Sequence, residues 1–149
     1  MNPKEQLLWS IAFPGFGQLL NGKYLKGLLF ILLEFVINVQ SHFNKIIYFS
    51  FNGEIKKAID HTDYQWLMFY PCVYFFAMWD AYKDAGGAKE SYSFLPFVLS
   101  SIFVTVGLMY SARVKLFGIM FGTIWFPMIC VIPGVVIGIL LKKILRKSD

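Results

Sequence analysis

Charge is scarce in this chain of 149 residues. Asp, Glu, Lys and Arg make up only 15% of it, against 57% hydrophobic residues, which leaves too little polar surface to clothe a water-soluble globule. Cysteine is scarce as well. Cys72 and Cys130 both fall inside apolar stretches, where a thiol packs as a small hydrophobe, so neither a disulfide framework nor a zinc site is predicted. Catalytic signatures are missing: there is no G-x-S-x-G elbow, no H-E-x-x-H helix and no G-x-x-x-x-G-K-[ST] phosphate loop. These absences predict a protein that is not an enzyme and carries no cofactor. The excess of 14 basic over 9 acidic residues sits at the ends of apolar blocks and forms no stripe, which argues against a nucleic-acid partner.

What the chain has is hydrocarbon in long runs. Four apolar blocks, at about 27–42, 65–82, 95–112 and 116–141, each approach the ~20 residues a helix needs to cross a ~30 Å hydrocarbon layer. The expected architecture is an all-α, polytopic integral membrane protein of one domain, with four transmembrane helices and the lipid bilayer as its first partner. Tyr64 and Trp66 open the second block and Trp79 and Tyr82 close it, as interfacial aromatic belts do. Lys4, Lys23, Lys26, Lys83, Lys89, Lys142, Lys143, Arg146 and Lys147 fall on one side of this scheme. Lys45, Lys56, Lys57, Arg113 and Lys115 fall on the other. The positive-inside rule then puts both termini in the cytoplasm of a cell-membrane protein.

Residues 5–20 are apolar but short, and Pro14-Gly15 interrupts them. They predict an interfacial or half-inserted helix followed by a turn; if they cross instead, the chain has five crossings. No convincing cleavage site follows, so the segment is expected to be retained. The loop 43–64 predicts a small hairpin or an interfacial helix, with a turn at Asn52-Gly53. Its acids and histidine, Glu54, Asp60, His61 and Asp63, lack a recognised metal-ligand spacing and read as a solvated loop. The third and fourth blocks, joined around Ser111–Lys115, predict an antiparallel pair. Gly118 with Gly122, and Gly134 with Gly138, have the small-xxx-small spacing of close helix contacts, and Gly15 and Gly17 suit a tightly packed corner.

Polar residues inside apolar blocks are the remaining candidates. Glu34 must face the bundle interior or a wet cavity, because a charge against lipid costs several kcal/mol. Asn38 lies one turn further on the same face. An uncharged or Asn38-bonded carboxyl is the first reading, and a proton or ion path through Glu34, Asn38 and Gln18 is the second.

The stretch P-G-F-G-Q-L-L-N-G-K-Y-L-K-G, Pro14 to Gly27, and the later W-D-A-Y-K-D-A, Trp79 to Ala85, carry a resemblance. The first resembles the P-G-x-G-Q-x-Y-x-G-x-x-x-K-G signature, and the second the D-A-Y-x-x-A motif, of small bacterial membrane proteins related to the two-transmembrane-helix domain family. Leu20 stands where the family has Tyr, and the A-H-x-F-Y form of the animal proteins is absent. The resemblance implies an integral membrane protein of bacterial type and supplies no catalytic residue. Independently of it, Gln18 and Asn21 can satisfy freed backbone groups, and Lys23 and Lys26 can reach anionic headgroups. Asp80, beside Tyr82 in the second motif, is placed to pair with those lysines. The functional expectation is a structural or accessory subunit that associates through its glycine-bearing faces with a membrane-protein partner or with its own copies; the alternative is a small transporter or channel subunit with a polar path through Glu34.

Overall fold

The computed structural model describes residues 2–149. It is helical almost throughout, in agreement with the all-α expectation. The elements are α1 (Pro3–Ala12), α2 (Phe16–Leu20), α3 (Tyr24–Ser41), α4 (Phe43–Phe51), α5 (Ile55–Asp60), α6 (Tyr64–Leu67), α7 (Tyr70–Asp84), α8 (Leu95–Tyr110), the strands β1 (Lys115–Leu116) and β2 (Ile119–Met120), and α9 (Gly122–Ser148).

Local chemistry explains the boundaries. The Asn2 side chain accepts the Lys4 amide at 3.1 Å and Pro3 opens α1, a pairing suited to a helix start. Gly15, at φ +104°, makes the corner between α1 and α2. His42 ends α3 in a left-handed conformation, and α4 begins at once. Asn38 and Asn44 brace that corner: the Asn38 amide donates to Asn44 Oδ1 at 3.1 Å, and the Asn44 backbone donates to Asn38 Oδ1 at 3.3 Å.

The loop 43–64 contains two short helices, α4 and α5, with a turn between them in which Gly53 has φ +75°; the hairpin alternative is not taken. The second apolar block is divided, with α6 capped by Asp63 and α7 beginning one residue before Pro71. The fourth block also differs from its expected bounds. Residues 115–120 form a β-hairpin, with Leu116 opposite Ile119, and α9 starts only at Gly122. Phe117 and Gly118 both take positive φ, the two-residue turn whose twist matches a hairpin. Gly118 therefore makes no helix contact, and nothing stands within 4 Å of the position its Cβ would occupy. Gly122 faces Ile55 of α5 instead. The predicted Gly118–Gly122 packing pair does not form, because a tight turn holds the first glycine and a helix start the second.

The other glycine pair does pack. A Cβ on Gly134 would lie 2.7 Å from Ser100 Cα, and one on Gly138 would lie 2.5 Å from Pro96 Cα. Gly107 continues the ladder, facing Cys130 Sγ at 2.6 Å in the same construction. Thus α8 and α9 run antiparallel in backbone contact along most of α8.

The interior holds an unusual mixture. Ile46, Ala58, Leu67, Leu108 and Ile124 form an apolar core where α4, α5 and α6 meet the α8–α9 pair. Trp125 Nε1 donates to the Ser50 carbonyl at 3.0 Å, and the Thr62 and Thr123 hydroxyls are 3.1 Å apart at the same end. Elsewhere Gln6, Ser10, Gln18, Glu34, Ser41 and Ser100 are buried, while Leu25, Leu28, Leu32, Phe35, Ile132 and Leu140 are exposed. Two helices, α3 and α9, are long and apolar enough to cross a membrane, and most of each faces outward.

At the far end of α9, Glu90 pairs with Lys142 at 2.6 Å and Arg146 at 3.1 Å. Lys142 first, and Arg146 after it, hold the Glu90 carboxyl below its ordinary value of 4.5. A depressed carboxylate supports the folded arrangement above its unfolded pKa and loses that support as pH falls through the folded value. The spin-label distance between Ala88→Cys and Leu145→Cys should therefore be short at pH 7 and lengthen on acidification below 4.5. Glu90→Gln should lengthen it already at neutral pH. A distance indifferent to both changes would refute the tie.

Candidate functional site

The two motifs meet. α1 runs to the corner at Phe13–Gly15, α2 doubles back against it, and both lie on α7. Close approach is possible because position 17 is glycine: a Cβ there would clash with Ser10 Oγ and stand 2.6 Å from the Gln6 carbonyl and 2.7 Å from Ala81 Cβ. Gly15 plays the same part toward α3, with its Cβ position 2.5 Å from the Gly27 carbonyl.

That approach delivers three polar side chains to the end of α7. Gln18, fully buried, donates through Nε2 to the Ala77 carbonyl at 2.8 Å and to Asp80 Oδ2 at 3.1 Å. Asn21 Nδ2 donates to the Ala81 carbonyl at 2.9 Å. Lys26 Nζ sits between two carboxylates, 2.8 Å from Asp80 Oδ1 and 2.9 Å from Asp84 Oδ2. Lys26 is 47% exposed, so each pair taken alone is worth roughly 0–1 kcal/mol. The part-buried hydrogen bond from Gln18 to the Asp80 carboxylate belongs to a stronger class, about 1.5–3 kcal/mol. The junction is a clamp whose inner part carries most of the energy.

Tyr74 completes it by donating to the Ile11 carbonyl at 2.8 Å. Ile11 lies in the last turn of α1, where carbonyls have no intrahelical partner. The C-terminal end of α1 is thus satisfied in part by a hydroxyl of α7.

The remaining candidates stand apart from this clamp. Lys23 is exposed and joins no ion pair among the described residues. Tyr82 is half-buried, packing on Phe97 at 6.0 Å between ring centres and over Gly87. Glu34 is 4% exposed, with Tyr70 and Asn38 against its carboxyl, and its Oε2 has no hydrogen-bond partner among the described residues. Asn38 touches that carboxyl and also braces the α3–α4 corner, whereas Gln18 is spent on the clamp with α7.

Four participants were not singled out from the sequence. Asp84 lies four residues after Asp80, on the same helical face, a spacing that could have revealed it. Tyr74 likewise follows Tyr70 by one turn. Gln6 and Ser10 are also one turn apart and buried, and only the packing of α1 on α7 explains a polar stripe there. Among the described residues no group of His, Cys, Asp and Glu is arranged to hold a metal ion. No family model, curated protein or solved structure matches the chain.

Proposed function

We propose that the protein is a multi-pass membrane protein, related to the bacterial two-transmembrane-helix domain proteins, that serves as a structural or accessory subunit. Its four crossings are α3, α6 with α7, α8 and α9, and both termini lie in the cytoplasm. The lengths support this: at 1.5 Å per residue, α3 extends ~27 Å, α8 ~24 Å and α9 ~40 Å, against a hydrocarbon layer of ~30 Å. So does the distribution of side chains, with glutamine, serine and glutamate inside and leucine and phenylalanine outside. In this arrangement α1 and α2 form a half-inserted hairpin sealed by the clamp.

The observation that carries the accessory reading is where the polar side chains are spent. Gln18, Asn21, Lys26 and Asn38 bind other parts of the same chain, so they fasten helices together and do not line a path. Gly134 and Gly138 are likewise consumed between α8 and α9, which leaves the large apolar side chains of the outer faces to meet a partner. Affinity purification of the tagged protein from its native membrane in mild detergent should bring down a stoichiometric membrane-protein partner or a homo-oligomer. A monomer that emerges alone would overturn the reading.

Topology has its own test, with Cys72 and Cys130 replaced by Ser and single cysteines introduced. A membrane-impermeant maleimide should label Lys57→Cys and Phe117→Cys in intact cells, and Lys4→Cys, Lys89→Cys and Ser148→Cys only after permeabilisation. Labelling of Lys4→Cys from outside would instead establish five crossings. Transport is the second reading, favoured by the single unpartnered oxygen of Glu34.

A further inference from the structure

A cavity of about 410 Å³ is lined by α4, α6, α7 and the α8–α9 pair, with Ile11 of α1 also in its wall. Its size falls within the range of small-molecule sites. The wall is almost wholly hydrocarbon, including Val104, Leu108 and Val131, and five of its side chains are aromatic: Phe43, Phe51, Tyr70, Tyr74 and Phe75. Tyr70 has two roles. It belongs to the wall of the cavity, and on α7 it stands against the carboxyl of Glu34. Tyr74, one turn along, lies near the same carboxyl.

Glu34 is the buried acid that the fold leaves without a counter-charge, with the side chains of Tyr70 and Asn38 at its carboxyl. It is 4% exposed, its Oε2 has no partner among the described residues, and none of the ion pairs among those residues includes it. A buried carboxylate without a counter-charge is costly. Aromatic faces attract cations, quaternary ammonium groups above all. An apolar cavity with such rings around it, and an unpaired acid behind one of them, matches one class of ligand: a monovalent cation with an apolar body. A neutral hydrocarbon chain would fit the wall and leave the acid without a counter-charge.

We propose that this cavity binds a lipophilic organic cation, with the charge toward Tyr70 and Glu34 and the apolar body against Val104, Leu108 and Val131. The proposal goes beyond the accessory reading and does not depend on it, since partner capture and ligand binding are measured separately. The probe is tetraphenylphosphonium, followed by equilibrium dialysis against the full-length protein in a non-ionic detergent. Saturable binding of one probe per protein is expected, weakened about tenfold or more in Glu34→Gln that still elutes as a single folded species. On the unaltered protein, neutral triphenylphosphine oxide should fail to displace the cation. Absence of saturable binding, equal binding by Glu34→Gln, or displacement by the neutral analogue at similar concentration would each overturn the proposal, the last by identifying a plain hydrocarbon pocket.

Discussion

Gly17→Ala should destabilise the protein by about 1–3 kcal/mol, toward the upper end of what overpacking usually costs. The direction is the informative part, because in an exposed helix the same change is worth about 1 kcal/mol of stabilisation. Here the added methyl group has nowhere to go. Its position lies 2.6 Å from the backbone carbonyl of Gln6 and 2.7 Å from Ala81 Cβ, so α2 must lift away from α1 and α7 together. Lifting it stretches the Gln18 and Asn21 hydrogen bonds, which leaves buried amide groups unsatisfied. Thermal survival in mild detergent, read as the folded peak after heating, should fall. Adding Ala81→Gly should restore part of the loss. If Gly17→Ala survived heating as well as the parent, the close seating of the N-terminal hairpin would be wrong.

Gly138→Ala should be comparably damaging, and Gly134→Leu more so. A methyl group at 138 falls 2.5 Å from Pro96 Cα, 2.8 Å from Pro96 N and 2.9 Å from the Leu95 carbonyl. All three are backbone atoms, which cannot turn aside as a side chain can. The two helices would have to separate along their length, losing contacts that add up individually small dispersion terms. A loss of about 1–3 kcal/mol is expected for Gly138→Ala, and the larger side chain of Gly134→Leu should prevent the α8–α9 pair from closing at all. Ile132→Ala, on the exposed face of α9, is the matched control and should change stability little. Equal thermal survival of Gly138→Ala and Ile132→Ala would exclude backbone contact between these helices.

Much of this arrangement can be read from residue order alone, and the exceptions have physical causes. Pro14-Gly15 interrupts an apolar run and does make a corner; Gln18, Asn21 and Lys26 do meet the segment holding Asp80. The Gly134–Gly138 spacing indicates close packing because it lies deep within one continuous helix. The identical spacing at Gly118–Gly122 misleads, since spacing implies a shared face only where the backbone is helical. Phe117-Gly118 between Lys115-Leu116 and Ile119-Met120 is a turn flanked by two short extended segments, masked by its hydrophobicity. The division at Met68–Phe69 is similarly hidden by aromatic residues on both sides. Glu34 is recognisable as an interior acid from its neighbours, whereas Tyr70, 36 positions away in the chain, becomes its neighbour only through the packing of α7.

The order in which the clamp's two halves leave the ribosome has a consequence of its own. Gln18 and Asn21 bond to residues 59 and 60 positions later, and synthesis proceeds at ~5–20 residues per second. For roughly 3–12 s the N-terminal hairpin and α3 exist with those amides unanswered. During that window solvent satisfies the hairpin's polar groups, and it can seat only when α7 arrives. Seating of the first segment is thereby timed by the second motif, and a chain truncated before Asp80 should leave residues 3–20 open to protease digestion.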